Sequence, residues 1–410
     1  MKKLPMWLQM IISIALAIIV GLIFVAAHIN EGNWLYNLFS FISDAFIRLI
    51  NMLVVPLVVT TLIVGIAGLK DPLKLGSIAW KTIVYFLFTS FCAALIGLIL
   101  VNIFHPGNGF PIPSNVEAPN TKPTPLSDVF LNMIPTNPIK ALTQTSILQI
   151  IFFSILAGMA MVFVGEKAKP VYNFFEACFE IVMKMTAWIM KLAPYGVFAL
   201  IVKTIADNGT AVFAPLAKYM FVVLLGFLLH LCFVLFPLIK TFGRMSPIIF
   251  MRGVFPAWLV AFSTASSNAT LPVSLRSVEN NLGVSNQVSS FVLPLGASIN
   301  LDGTALYEGV AALFIAQAYG IHLSIGSQLI VLLTASLAAI GAAGIPGAAL
   351  VTMVLVLKAV NLPLEGIGLV LAVDRLIDMF RTSLNVLGDC TGTVVVARRE
   401  AEIQETETSA

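Results

Sequence analysis

Five polar side chains, Asp374, Asp378, Arg381, Asn385 and Asp389, crowd the stretch from Ala372 to Gly392 of a chain that is 59% hydrophobic and 10% charged. At about 100° of rotation per residue they fall within an arc of roughly 80° on one face of a helix. Val373, Leu376, Phe380 and Leu387 fall on the opposite face. An ionisable group inside a membrane costs about 3 kcal/mol or more, so five polar groups converging on one spanning helix need partners or ligands. Arg381 presents a rigid planar fork suited to a carboxylate, and Asp378, three residues earlier, can accept an ammonium group. Both signs side by side suit a zwitterion carrying an additional carboxylate. The same spacing also permits an internal i, i+3 ion pair that only neutralises the helix.

A second constellation is Gly296-Ala-Ser-Ile-Asn-Leu-Asp-Gly-Thr304, in which two glycines flank Asn300 and Asp302. Glycine weakens a helix and lets carbonyls turn outward, while Asn and Asp add side-chain oxygens. Hard cations choose oxygen ligands, so the pattern points to an alkali cation rather than zinc or copper, with Asp302 and Asp389 supplying the formal negative charge. The alternative is that Asn300 and Asp302 merely cap a helix interruption. Glu308, two turns after Asn300, is a carboxylate inside an apolar helix; it is a candidate proton carrier or an inert hydrogen-bonded group. His28, His105, His230 and His322 form no pair at metal-ligand spacing and are assigned no site.

The elements that must position these residues are membrane spans. The mean hydropathy of +0.98 over 410 residues, with long apolar runs between short polar breaks, excludes a soluble domain and places the chain among polytopic membrane proteins. Lys and Arg gather at Lys2 and Lys3, at Lys70, Lys74 and Lys81, at Lys167 and Lys169, at Lys240 and Arg244, and at Arg398 and Arg399. The positive-inside rule therefore puts both termini in the cytoplasm. The four cysteines, Cys92, Cys178, Cys232 and Cys390, stand singly, without metal-like spacing, and at least three read as small packing residues. The apolar core from Trp7 to Ala27 is long enough to span and lacks a clear cleavage site, so it reads as a first helix rather than a signal peptide.

Spans are expected over 6–28, 36–68, 79–105, 128–165, 172–203 and 212–241. The second, fourth and fifth exceed a bilayer and should tilt or break, as Pro56, Pro135, Pro138 and Pro194 permit. Pro106 to Pro125 is an exposed loop. After residue 245 the pattern changes. Residues 247–280 are interrupted by Phe262-Ser-Thr-Ala-Ser-Ser-Asn-Ala-Thr-Leu-Pro272, and 325–361 by Ala339-Ile-Gly-Ala-Ala-Gly-Ile-Pro-Gly-Ala-Ala349. Each is followed by a polar-marked helix, 285–319 and 364–398. Tandem interrupted segments point to a transporter binding site, because freed backbone groups must face a cavity or protein rather than lipid. Each segment should enter part-way and turn back, making an inverted repeat.

Asn300-Leu-Asp-Gly-Thr304, the Ser266-Ser267 tip, Gly344-Ile-Pro-Gly347, Met133-Ile-Pro-Thr-Asn-Pro138 and Asp374-x-x-x-Asp-x-x-Arg-Thr-x-x-Asn-x-x-Gly-Asp389 together resemble the dicarboxylate/amino acid:cation symporters, the glutamate transporter family. The resemblance spans nearly the whole chain. It implies an all-α polytopic membrane protein with eight transmembrane helices and two re-entrant helical hairpins, assembled as a homotrimer and working by an elevator mechanism. Residues 1–245 would be mainly scaffold, with the third helix (79–105) and sixth helix (212–241) belonging to a transport core completed by 246–400. Residues 401–410 would be a cytoplasmic tail. The resemblance implies that Arg381 holds the substrate's side-chain carboxylate and Asp378 its amino group, with Ser266, Ser267, Thr304, Ile345, Gly347, Thr382 and Asn385 completing the site. It also implies sodium at Gly296, Asn300, Asn385 and Asp389, at Thr89, Ser90, Asn300 and Asp302, and at Ser298 with the backbone around 339–344, and it implies proton carriage by Glu308. Arginines found in some relatives at the first tip or directly after the aspartate are replaced here by Ala265 and Met379, so the resemblance does not carry over potassium counter-transport, and Arg375 is a candidate to replace the missing charge.

The expected function is a cell-membrane symporter of glutamate or aspartate coupled to sodium, with a proton as a candidate second coupling ion, lipid around it, no cofactor and no nucleic-acid partner. The nearer alternative is a proton-driven C4-dicarboxylate carrier, although such relatives tend to lack the aspartate found here at 378. An intramembrane aspartyl protease is disfavoured because Val386 occupies the place of a required glycine and proteolysis has no use for Arg381. A passive anion channel would show substrate-independent current.

Overall fold

The apolar runs separated by Pro, Gly and Asn fold into helices, and the computed structural model describes residues 6–67, 76–110, 131, 134–144, 146–340 and 348–400. In chain order the first helices are α1 (Met6–Ala26), α2 (Trp34–Ala67), α3 (Gly76–Phe104), the short α4 (Pro138–Thr143), α5 (Ile147–Val164), α6 (Lys169–Met190) and α7 (Ala193–Asn208). Then come α8 (Phe213–His230) and, continuing it through a π turn at Leu231–Leu235, α9 (Phe236–Thr241). The C-terminal half contains α10 (Pro247–Thr264), α11 (Ser267–Arg276), α12 (Asn286–Ile299), α13 (Asp302–Ala318), α14 (Ile325–Ile340), α15 (Ala348–Ala359) and α16 (Ile367–Arg399). No strand occurs among the described residues.

Local chemistry sets the breaks. Asn137 caps α4 by accepting from the amides of Ile139 at 2.9 Å and Lys140 at 3.2 Å, with Pro138 where its missing N–H is harmless. The expected fifth span divides between α6 and α7, where Pro194 lies in the first turn of α7. The expected second span does not break. α2 runs through Pro56, and packing against α5, α6 and α7 holds its turns together despite one lost hydrogen bond. Most of the loop expected from Pro106 to Pro125 lies outside the described residues.

Among the described residues, four stretches are long and apolar enough to cross a membrane: Trp80–Phe104, Gln149–Ile189, Gly209–Thr241 and Pro247–Thr264. The surface carries large apolar side chains such as Phe163, 88% exposed, and Trp34, while Asn300, Asp302 and Glu308 are fully buried. That inversion of the soluble pattern fits a lipid solvent, which accepts apolar groups and leaves polar ones to partner each other inside.

The C-terminal helices form the polar interior. α13 lies against α3, α14 and α16, and α16 lies against α10, α12 and α8. At one end Glu400 ties α16 to α3, accepting from Lys81 Nζ and Ser77 Oγ, each at 2.6 Å. Those bonds hold its carboxyl below the usual range.

Candidate substrate and cation site

The first interrupted segment turns at Ala265, whose φ of 51° lies in the left-handed region. Ser266 then caps α11, its Oγ accepting from the amide of Ala269 at 3.2 Å, and Ser267 is buried beside it. The turn thus buries its two serines and answers the amides of Ala265, Ser266 and Ala269 within itself. The second interruption ends α14 at Ile340 and resumes as α15 at Ala348. Ile345 and Gly347 lie between these helices, outside the described residues, and the side chain of Ser298 is likewise not described.

The segment from Gly296 to Thr304 breaks as its glycines and Asn suggest. α12 ends at Ile299, Asn300 and Leu301 leave helical geometry, and α13 restarts at Asp302. Capping is not all that these residues do. Thr89 Oγ1 donates to Asn300 Oδ1 at 3.3 Å, and Asn300 Nδ2 donates to Asp389 Oδ1 at 3.0 Å. Ser90 Oγ donates to Asp302 Oδ1 at 2.9 Å. Close approach demands glycine at two positions. A Cβ on Gly296 would stand 2.6 Å from Asp389 Oδ1, and one on Gly388 would stand 2.9 Å from Asn300 Nδ2 and 3.0 Å from Asp302 Oδ2.

Three elements therefore aim oxygens at one buried locus: α3 through Thr89 and Ser90, the α12–α13 break through Asn300 and Asp302, and α16 through Asp389. Among the described residues neither carboxylate has a Lys or Arg partner. Buried carboxylates without a Lys or Arg partner, set among neutral oxygens, are chemically matched to a hard monovalent cation. No cluster of three or more His, Cys, Asp or Glu side chains suited to a metal occurs among the described residues.

The polar arc of α16 points inward and all five members are buried, whereas Leu376 on the other side is 47% exposed. Arg381, only 2% exposed, donates through Nη2 to Asp378 Oδ1 at 2.6 Å and through Nη1 to Asp374 Oδ1 at 3.3 Å. The internal ion pair permitted by the spacing is thus present, and a ligand carboxylate reaching Arg381 must compete with it. The guanidinium also stacks over Tyr307, 4.5 Å from the ring centroid. Asn385 links the two clusters: its Oδ1 accepts from the amide of Gly303 at 2.8 Å, and its Nδ2 lies 3.5 Å from Thr304 Oγ1. Thr382 is buried one residue beyond Arg381. Glu308 accepts a short hydrogen bond from Thr352 of α15 through Oε1, while Oε2 is buried without a partner among the described residues.

Sequence reasoning missed two contributors. His230 is fully buried and its Nε2 lies 3.1 Å from Asp302 Oδ2, so a residue given no site closes the wall of the carboxylate. Its one available signal was its place well inside an apolar run, where a polar side chain needs a partner. Tyr307 carries no sequence mark of its stacking role.

Helices broken where buried polar groups converge, inside an all-helical apolar body, define a membrane transporter rather than an enzyme. Residues 6–399 match the sodium:dicarboxylate symporter family, and the chain belongs to that family. It is 36% identical to the proton/sodium-glutamate symport protein of Geobacillus stearothermophilus, over 99% of this chain and 97% of the relative. It is 37% identical to the proton/glutamate-aspartate symporter of Escherichia coli (strain K12), over 96% and 92%. Excitatory amino acid transporter 2 of Homo sapiens is 39% identical over 88% of this chain and 73% of its own length.

Proposed function

We propose that the protein is a secondary active symporter of the cell membrane that takes up glutamate or aspartate with sodium, and carries a proton on Glu308. The observation that carries this reading is the junction on α16 of an Arg381–Asp378 pair with the oxygen-rich locus around Asn300, Asp302 and Asp389, joined through Asn385. The names of the relatives point the same way. Arg381 receives the side-chain carboxylate and Asp378 the ammonium, with Ser266, Ser267, Thr304, Ile345, Gly347, Thr382 and Asn385 around the rest of the molecule. Asp378 would have no work to do on a plain C4-dicarboxylate. Sodium ions are held by Thr89, Ser90, Gly296, Ser298, Asn300, Asp302, Asn385 and Asp389.

Coupling follows from shared parts. Asn385 serves both loci, so sodium fixes the side chain that substrate needs and each solute raises the affinity for the other. A charge on Glu308 would leave Oε2 unanswered, and a proton there removes that charge while the bond to Thr352 ties its state to α15. The architecture in this reading is eight spanning helices with two re-entrant hairpins, α10–α11 and α14–α15, in inverted repeats. A scaffold drawn from residues 1–245 holds a transport core that moves as an elevator within a homotrimer, with both chain termini in the cytoplasm.

Uptake of labelled aspartate into proteoliposomes, under a sodium gradient and then under a proton gradient alone, tests the reading. Accumulation is expected to require sodium. Glu308→Gln should retain sodium-driven uptake but lose its dependence on external pH. Accumulation driven by protons alone would remove sodium from the role given to it here, and an unaltered pH profile in the Gln variant would remove Glu308.

A further inference from the structure

Two of the stretches long and apolar enough to cross a membrane, Gly209–Thr241 and Pro247–Thr264, are joined by residues 242–246 alone. So short a link reaches at most about 17 Å, which keeps it at the membrane surface. Lys240 lies in the last turn of α9 just before the link, and Arg244 stands within it. The end of α16 packs onto the same link. Arg398 Nε donates to the Gly243 carbonyl at 3.4 Å, and the Arg399 guanidinium lies 5.0 Å from the centre of the Phe242 ring. Lys240, Arg244 and Arg399 are exposed. None of the four cations has a carboxylate partner among the described residues. Glu400, the acid next along the chain, is engaged by Lys81 and Ser77. Large apolar side chains stand open beside the link: Phe242 is 43% exposed, Ile249 46% and Ile248 65%.

We propose that this face, formed by Lys240, Phe242, Arg244, Arg398 and Arg399, is a docking surface for anionic phospholipid headgroups. Its charge calls for an anion, and its position calls for a lipid. Ammonium and guanidinium groups beside open apolar side chains match the boundary of a bilayer, where phosphates overlie acyl chains. A soluble acidic partner would have no use for Ile248 and Ile249, which open the first turn of the next apolar stretch. The stack of Arg399 on Phe242 holds one guanidinium in place at the surface, so less side-chain freedom is lost when a phosphate arrives. The proposal needs only that these helices reach the membrane surface, and it holds or fails apart from the symport reading.

The test titrates the purified full-length protein, in an uncharged detergent, with dioctanoyl phosphatidylglycerol and reads the melting temperature. Phosphatidylglycerol is expected to raise it saturably, whereas dioctanoyl phosphatidylcholine and inorganic phosphate at the same concentrations are not. Each basic residue near an anionic surface contributes about a fivefold gain in affinity, so Arg244→Gln combined with Arg399→Gln should raise the half-saturating concentration about twenty-five-fold. Lys218→Gln removes an exposed charge near the far end of α8 and should stay within about twofold of the unaltered protein. An equal response to phosphatidylcholine would overturn the proposal, and so would a loss in the double variant no larger than that in Lys218→Gln. A shift with inorganic phosphate alone would also overturn it, marking a simple anion site. If the double variant does not fold, the unaltered protein decides: its affinity for phosphatidylglycerol should fall between about 50 and 500 mM potassium chloride, and an unmoved affinity would refute a charge-based surface.

Discussion

Arg381→Ala is expected to reduce aspartate uptake by about thirtyfold or more, the size of effect that follows when one partner of a buried, hydrogen-bonded charge pair is truncated at about 2–5 kcal/mol. Two consequences of the change must be kept apart. The substrate's side-chain carboxylate loses its fork, and Asp374 and Asp378 lose the cation that holds them. The second consequence destabilises the protein whatever it transports, because uncompensated buried carboxylates remain. A substrate comparison distinguishes the two. An amino acid without a side-chain carboxylate makes no use of Arg381, so its binding should fall far less than that of aspartate, and the preference for the acidic substrate should collapse. The measurement is ligand-induced thermal stabilisation of the purified variant by aspartate and by serine. A well-folded variant that still takes up aspartate at the original rate would defeat the assignment of Arg381.

The polar arc of α16 was legible because membrane helices offer charged residues nowhere to go but inward, so spacing alone gives the face. The break at Asn300 was legible for a similar reason, since glycine on both sides of Asn and Asp weakens the ladder locally. The turn at Ala265 and Ser266 could be read from a polar run inside an apolar segment. Other features depend on distance through space. His230 meets Asp302 across 72 positions of sequence, and no periodicity in α8 announces it. Arg381 settles on two aspartates and the Tyr307 ring because helix rotation and packing decide among partners that spacing leaves equal. Pro56 permits a break without forcing one: a proline weakens one turn, but the flanking packing of α2 decides whether that turn opens.

Asp389→Asn should change the protein in opposite directions with and without sodium. The carboxylate is buried, accepts from Asn300 Nδ2 at 3.0 Å, and has no Lys or Arg partner among the described residues. An asparagine of the same shape keeps an oxygen for that hydrogen bond while removing a charge whose burial is unfavourable. In sodium-free buffer the variant is therefore expected to melt at a higher temperature than the unaltered protein. Adding sodium should reverse the order. A cation held at about 4 Å from a carboxylate, at an effective dielectric of about 20, gains roughly 4 kcal/mol from it, so the variant should need several hundredfold more sodium for the same stabilisation. Aspartate uptake at a fixed sodium gradient should fall with it if, as proposed, Asn385 links substrate affinity to sodium occupancy. A sodium titration of melting temperature decides the matter: an unchanged half-saturating concentration would move the ion away from Asp389. A rise in the sodium-free melting temperature together with loss of the sodium response would identify this carboxylate as one kept at a cost to the empty protein for the sake of the ion.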